Sequence, residues 1–163
     1  MKPKLLICGL AALLTTVAFG QPEDREVRRS IENFYAKMDR EMSKGDFRAM
    51  LSHRDPGYVY TDVQGHRMDY GQMKSMMMNM RGSMRDMRCK TTVRNVTGTM
   101  QEAFAWVEVV MSCKQKMGNR WTAMKQTHRF TETHRGTPRG WMTMMTQELP
   151  KDEPWSFKTG GGF

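Results

Sequence analysis

Apolar residues recur at steps of three and four along the first strongly charged stretch of the chain, between Glu23 and Lys44. This spacing lays a single apolar stripe along an amphipathic helix. Gly45 directly after the stretch is a natural stop for that helix. The predicted stripe consists of Val27, Ile31, Phe34, Met38 and Met42.

The period changes after a short second helix. Asp46 is a suitable cap for that helix, and residues 55–57, Asp-Pro-Gly, then force a turn. Residues 58–62 alternate as in a β-strand, and residues 63–66 can turn the chain into a short partner strand. The pattern therefore predicts a small hairpin after two helices.

A third helix is predicted from a capping signal. Asp69 is followed three residues later by Gln72, which resembles a capping box, and Gly82 lies near the expected end of the helix. Four longer segments with alternating or strand-like patterns follow, so the remainder of the domain is predicted to be β-structure. These strands cover residues 87–96, 103–113, 120–134 and 140–149.

The chain begins with a segment typical of an export signal. Lys2 and Lys4 precede an apolar run over residues 5–19, and the small residues Ala18 and Gly20 stand where cleavage would require them. The run is shorter than the stretch of about 20 apolar residues that a membrane anchor needs. We therefore expect a signal peptide over residues 1–20 and a secreted or periplasmic product.

The mature chain is expected to be one domain over residues 21–149, followed by a loose tail over residues 150–163 that is rich in proline and glycine. It has no second apolar stretch long enough for a bilayer, so we expect no membrane association after cleavage. The chain carries a net charge of +9, but its basic residues are interleaved with acidic ones. This pattern is typical of a solvated surface, so nucleic acid is not expected as a partner.

Two cysteines remain after the signal is removed, Cys89 and Cys113. If the two strands around them form a hairpin that closes near Gln101, they face each other, and Arg94 faces Glu108. In an oxidising compartment this placement favours a disulfide. The alternative is a pair of buried thiols.

The order of elements and two local segments resemble the nuclear transport factor 2-like, or SnoaL-like, superfamily. The segments are GDFRAMLSHRDPGYVYTDVQGHRMDYGQM and the closing GWMTMMTQEL, and the resemblance spans about residues 24–149. It implies an α+β fold in which three N-terminal helices pack in a strongly curved antiparallel sheet. It also implies a cone with an apolar cavity open at one end.

The resemblance also suggests a catalytic base. In the ketosteroid isomerase branch an Asp on the hairpin moves a proton, and the spacing to two glycines is matched by Asp62, Gly65 and Gly71. The oxyanion partners of that branch do not transfer well, because Tyr35 is about one helical turn away from the expected place. Asp62 can equally accept hydrogen bonds from its own turn. His128 is the second catalytic candidate, and we lean toward no catalysis.

Candidate ligand-binding residues follow from the helix stripe, the strand parity and the cavity that the resemblance implies. No pair of histidines has a metal-ligand spacing, and no phosphate loop or nucleophile motif occurs, so neither a metal nor another cofactor is expected. The candidates are Phe34, Met38, Tyr58, Tyr60, Asp62, Met77, Trp106, His128 and Phe130.

Methionine is unusually common, with 19 residues in the chain, and eight of them lie between residues 68 and 87. Clustered thioethers can bind Cu(I). Methionine also stands in place of leucine elsewhere in the chain, as a flexible core filler would. The second interpretation is favoured.

The sequence thus predicts an exported domain that binds a small apolar ligand or a protein partner in its cone and that is a possible homodimer through its exposed sheet face. One alternative is an isomerase, cyclase or dehydratase with Asp62 as general base. The other is a methionine-rich periplasmic Cu(I)-binding protein.

Overall fold

The computed structural model describes residues 22–151, and the predicted leader and nearly all of the predicted tail lie outside this range. Within it the chain forms three helices and six strands in the order that the pattern predicts. These are α1 (Pro22–Ser43), α2 (Phe47–Leu51), β1 (Arg54–Thr61), β2 (Arg67–Asp69), α3 (Tyr70–Met80), β3 (Met84–Gly98), β4 (Glu102–Met117), β5 (Arg120–Thr137) and β6 (Gly140–Leu149).

The helix ends follow the local signals. Gly45 terminates α1 with a φ of +69°, a conformation that glycine adopts at no steric cost. Asp46 caps α2 by accepting a hydrogen bond from the Ala49 amide at 3.0 Å. At α3, Asp69 accepts from the Gln72 amide at 2.8 Å, and Gln72 accepts from the Asp69 amide at 3.0 Å. The predicted capping box is confirmed.

The strands form one sheet in the order β2-β1-β6-β5-β4-β3. Only the β1–β6 pair in this sheet is parallel, and its other pairs are antiparallel. Long antiparallel strands twist, so a sheet of this length curves and can enclose helices on one side. The α+β class and the curved sheet around the helices are confirmed.

The inner face of the sheet and the stripe of α1 form the core. On β4, Ala103, Ala105 and Val107 are fully buried, whereas Phe104 between them is 39% exposed. The α1 stripe is buried from Val27 to Met38, as predicted, and it packs against β3. No helix among residues 22–151 is long and apolar enough to cross a membrane.

The β3–β4 hairpin closes in a register that differs from the prediction. Gly98 faces Ala103 at the turn, and a bulge between Val93 and Asn95 moves the pairing by one further residue. Gly98 has a φ of +122°, and a Cβ there would collide with the carbonyl of Glu102, so only glycine fits this closing turn.

The shifted register separates the two cysteines. Cys89 lies opposite Met111 instead of Cys113, and both thiols are free. The predicted register is therefore wrong, because the turn at Gly98 and the bulge each shift the pairing by one residue, and the disulfide that depended on this register is not formed in this structure. The predicted contact between Arg94 and Glu108 does form, at 2.9 Å, because the long Arg94 side chain spans the offset.

Candidate functional site

The helices and the inner face of the sheet enclose a cavity of about 340 Å³. Its wall is mainly thioether and aromatic, with ring contributions from Tyr58, Tyr60 and Phe130. Nine methionines line it, contributed by all three helices and by the sheet. They are Met38, Met42, Met50, Met68, Met73, Met76, Met77, Met80 and Met111.

These methionines are concentrated at the cavity and not spread evenly through the core. Among the described residues, five methionines belong to the buried core, and four of them line the cavity, Met87 being the exception. The largest side chains below 2% exposure include no methionine. That set is Tyr58, Ile31, His134, Val27, Val107 and Thr143. Methionine is therefore enriched in the cavity wall, and it does not only take the place of leucine in the core.

One end of the cavity carries a buried polar cluster centred on Glu132 of β5, which is 4% exposed. Tyr35 of α1 donates to Glu132 Oε2 at 2.5 Å, and Thr146 of β6 donates to Oε1 at 2.6 Å. The guanidinium of Arg54, at the start of β1, contacts Oε1 at 3.2 Å. Tyr58 in turn donates to the Thr146 hydroxyl at 2.9 Å. We call Tyr35, Arg54, Tyr58, Glu132, His134 and Thr146 the base cluster, after their position at one end of the cavity.

The hydrogen bonds of the base cluster all lead toward the Glu132 carboxylate. His134 Nε2 lies 2.9 Å from the Tyr35 hydroxyl, and His134 Nδ1 lies 3.2 Å from the Thr143 hydroxyl. Since Tyr35 gives its proton to Glu132, we assign the Nε2–H tautomer to His134, with Nδ1 accepting from Thr143. Two chains of hydrogen bonds therefore end on the Glu132 carboxylate, one through Tyr35 and one through Thr146. The guanidinium of Arg54 contacts the same carboxylate.

Burial and this network set the charges of the base cluster. Burial raises the pKa of Tyr35 well above its ordinary value, and the adjacent Glu132 raises it further. Burial alone would raise the pKa of Glu132, but Arg54 and the hydrogen bonds outweigh it and the pKa is lowered. Burial lowers the pKa of His134 to about 4. At neutral pH the cluster is thus a carboxylate and a guanidinium among neutral groups.

A second polar group lies at the more exposed rim of the cavity. The Tyr60 hydroxyl donates to Glu148 Oε2 at 2.5 Å, and His128 Nδ1 lies 2.7 Å from Glu148 Oε1. The His128 ring stacks on Phe130 with an angle of 4° between the ring planes. Burial and Glu148 raise the pKa of Tyr60. The rim therefore holds His128 between a carboxylate and an aromatic ring.

Asp62 lies outside both groups. Its carboxylate accepts the amides of Gln64 and His66 at 2.9 and 2.8 Å, and His66 Nδ1 lies 2.9 Å from it. It does not line the cavity. Its slight burial would raise the pKa, but these hydrogen bonds lower it. Asp62 thus organises the β1–β2 turn, which is the structural alternative that the sequence left open.

The remaining predicted residues divide by position. Met38, Tyr58, Tyr60, Met77, His128 and Phe130 line the cavity. Phe34 is buried behind it, in edge contact with the rings of Tyr35, His53 and His134. Trp106 has the opposite parity to the buried positions of β4 and lies on the outer face of the sheet. Contact with a ligand remains a prediction for the residues that line the cavity.

The sequence interpretation did not single out Arg54, Glu132, His134 or Thr146, and it set Tyr35 aside. One signal was available, because Glu132 and His134 share the parity of Phe130 on a strand whose inner face is buried. A charged residue at such a position requires a partner. That signal would have found Glu132 but not the residues that converge on it.

Neither a family model nor a curated protein matches the sequence. Solved structures do match the fold. A nuclear transport factor 2-like protein with a cystatin-like fold from Novosphingobium aromaticivorans is 15% identical, with 80% of this chain and 86% of that chain covered and a TM-score of 0.58.

Two further structures bear names that refer to reactions. A proposed dehydratase of the same family from Streptomyces avermitilis is 14% identical over 80% of this chain and 99% of its own, with a TM-score of 0.65. A ketosteroid isomerase-like protein from Erwinia carotovora atroseptica is 12% identical over 75% of this chain and 95% of its own, with a TM-score of 0.57. At identities this low the likeness concerns the architecture alone.

Proposed function

We propose that this chain, which has the nuclear transport factor 2-like fold, binds a small and largely apolar molecule in its cone-shaped cavity. The observation that carries the proposal is the composition of the cavity wall. The cavity volume of about 340 Å³ falls in the range of small-molecule sites. Such sites are mostly apolar and contain a few polar groups that orient the ligand. Here those polar groups are the base cluster and the rim group of Tyr60, His128 and Glu148.

The methionines suggest the kind of apolar ligand. Thioether side chains are flexible and polarisable, and they make favourable contacts with aromatic rings. Together with Tyr58, Tyr60 and Phe130 they form a wall that adapts to a flat ring system. We therefore propose an aromatic or alicyclic ligand in preference to a peptide or another protein chain, for which a cavity of about 340 Å³ offers little space.

The base cluster suggests one polar feature of the ligand. Oε1 of Glu132 already accepts from Thr146 and Arg54, whereas among the described residues Oε2 accepts only from Tyr35. A carboxylate oxygen has two acceptor sites, so Oε2 retains one. A hydroxyl on the ligand complements it.

The same geometry favours binding over proton transfer. The pKa of Glu132 is lowered and that of Tyr35 is raised, so neither group titrates near neutral pH. Asp62, the predicted base, is committed to its own turn. An isomerase or dehydratase would need a base with a pKa near the working pH beside the substrate.

We also propose that the functional chain is exported and begins at Gln21, which the leader predicts. Mass spectrometry of the protein secreted by an expressing cell tests this directly. A mature mass that begins at Gln21 is expected, and retention of residues 1–20 would contradict the proposal.

Binding is tested by titrating the purified protein with 2-naphthol, a flat ring with one hydroxyl, and following its fluorescence. Native mass spectrometry of the same preparation would identify any ligand that copurifies. Met77→Trp narrows the cavity with a bulky ring, because Met77 lies in its wall and is 6% exposed. The matched control is Met117→Trp, because Met117 is 61% exposed at the end of β4.

We expect the wild type and Met117→Trp to bind the probe equally, and Met77→Trp to lose binding while circular dichroism shows that it is folded. Equal binding by all three proteins would contradict a site in the cavity. If Met77→Trp does not fold, Met76→Trp is the second variant, since Met76 also lines the cavity and is 38% exposed.

A further inference from the structure

Four cavity methionines lie on one face of α3. Met73, Met76, Met77 and Met80 are spaced at i, i+3, i+4 and i+7, and all four line the cavity. On a helix, residues three and four apart are neighbours, with Cβ atoms about 5–6 Å apart. Methionine has three rotatable bonds, so neighbouring thioethers can converge on one point.

Further sulfur atoms line the same cavity from α1 and the sheet. Met38 and Met42 are one turn apart on α1, and Met111 of β4 lies opposite Cys89 of β3. Burial and the nearby carboxylate of Asp39 raise the pKa of Cys89 to about 12, so its sulfur is a neutral thiol at physiological pH. The donors available in this cavity are therefore mainly uncharged thioethers.

The cavity lining also includes one carboxylate without a cationic partner. Asp39 lines the cavity, and its oxygens accept the amide and hydroxyl of Thr91, both at 2.7 Å. None of the ion pairs formed within residues 22–151 includes Asp39. The cavity that holds these methionines thus also carries a negative charge that a monovalent cation would compensate.

The donor set selects the kind of cation. In the part of the chain that the structure describes, no group of three or more His, Cys, Asp or Glu side chains is placed to hold a metal ion. Borderline and hard cations such as Zn²⁺ and Mg²⁺ therefore lack their preferred ligands. Thioethers are soft donors, and soft donors select Cu(I).

We propose that this cavity binds one Cu(I) ion through the thioethers of Met73, Met76, Met77 and Met80, with Asp39 balancing its charge. Ag(I), which has the same charge, a filled d shell and the same preference for soft donors, can take its place. The copper enters and leaves as Cu(I), so binding requires no oxidant or reductant. This inference goes beyond the proposed binding of an apolar molecule and does not rest on it.

The test is a calorimetric titration with Ag(I), repeated without oxygen as a competition for Cu(I) against bicinchoninate. Four methionines are replaced in each of two matched variants. The cavity variant carries leucine at the four positions of α3. The control variant carries Met87→Leu, Met117→Leu, Met142→Leu and Met145→Leu, none of which lines the cavity. Because thiols also bind these ions, every titration is repeated with Cys89→Ala and Cys113→Ala.

We expect the wild type and the control variant to bind one equivalent, with or without the cysteines. The cavity variant should lose at least about 100-fold in affinity, since it lacks the ligating atoms themselves. X-ray absorption should show sulfur neighbours around the copper. The proposal is overturned if the wild type binds no ion, if both methionine variants lose affinity equally, or if only nitrogen and oxygen surround the copper.

Three further measurements accompany these titrations. 2-Naphthol and Cu(I) binding are measured separately on the wild type, so each proposal can fail without the other, and the control variant should keep both because none of its four methionines lines the cavity. If the cavity variant does not fold, Met76→Leu with Met80→Leu is compared with Met117→Leu and Met145→Leu. Asp39→Asn should weaken Cu(I) binding several-fold, and an unchanged affinity would overturn the role of Asp39.

Discussion

The β1–β2 turn and the base of the cavity each hold one carboxylate that accepts three hydrogen bonds. Asp62 in the turn accepts three hydrogen bonds from Gln64 and His66, between 2.8 and 2.9 Å. Glu132 accepts from Tyr35, Thr146 and Arg54, between 2.5 and 3.2 Å. Both carboxyl groups have a lowered pKa. By this description the two sites are alike.

They differ in where the partners come from and in what replaces them. The partners of Asp62 lie within four residues along the chain, and water can take their place. Those of Glu132 come from α1, β1 and β6, and its carboxylate is 5% exposed. A buried charge without its partners loses solvation that nothing restores. Three hydrogen bonds therefore contribute little to the free energy of unfolding in the turn and much more at the base of the cavity.

The largest expected effect is that of Glu132→Ala. It leaves Arg54 buried without a counter-charge, and removal of one partner of a buried pair typically costs about 3–5 kcal/mol. Urea unfolding at pH 7 should show this loss in the free energy of unfolding. The double variant Arg54→Met with Glu132→Leu should recover much of it. A loss below about 1 kcal/mol for Glu132→Ala would mean that the two carboxylates are equivalent after all.

The next largest effect is a pH dependence of the free energy of unfolding, which originates at His134 in the base cluster. The unfolded chain protonates this histidine below about pH 6.5, whereas burial lowers the pKa of His134 to about 4 in the folded chain. The free energy of unfolding should therefore fall by about 3 kcal/mol between pH 6.5 and pH 4 on this account. Glu132, with its lowered pKa, adds a further loss only below about pH 4.5.

His134→Gln checks this assignment, because glutamine can form hydrogen bonds and does not titrate. Unfolding curves of both proteins at several pH values between 7 and 4 isolate the contribution of this ring. The variant should lack the His134 part of the slope. Parallel curves for the two proteins would contradict a neutral His134 in the folded state.

Tyr35→Phe is expected to have a smaller effect. It removes one hydrogen bond to Glu132 and leaves His134 Nε2 without its acceptor. A hydrogen bond to a charged group contributes about 1.5–3 kcal/mol, so we expect a loss of about 2 kcal/mol in the free energy of unfolding. Tyr70→Phe is the matched control, since no partner of its hydroxyl occurs among the described residues. Equal losses in the two variants would remove Tyr35 from the network.

Asp62→Ala should have the smallest effect. Solvent can satisfy the amides of Gln64 and His66, so we expect the thermal midpoint to fall by no more than about 4 °C. The affinity for 2-naphthol should not change, because Asp62 does not line the cavity. Asp62→Asn, which keeps an acceptor for the turn, is the control for the fold. A tenfold loss of affinity for 2-naphthol in Asp62→Ala would show that Asp62 takes part in ligand binding.

The same division between local and distant contacts explains the outcome of the sequence predictions. The capping box of Asp69 and Gln72 was predictable because both partners lie in one helical turn. The register that would place Cys89 opposite Cys113 was predicted wrongly, because the turn at Gly98 and the bulge after Val93 each shift the pairing by one residue. The elements could thus be predicted closely, and the pairing between them less so.

The candidate site shows the same limit. Helix stripes and strand parity placed Met38, Met77 and Phe130 on faces that turn inward, and these residues do line the cavity. The nine methionines were visible in the sequence, but their concentration at one cavity was not. It arises because α3 and α1 present their methionine faces to the same space.

The sequence alone therefore determined the helices, the strands and the turn of Asp62. These depend on interactions within about four residues, where the backbone leaves few alternatives. Only the tertiary structure decided that Tyr35, Arg54 and Thr146 meet on Glu132, across as many as 97 positions of the chain. Their convergence depends on sheet curvature, strand register and helix placement together, and a change in any one of these would separate them.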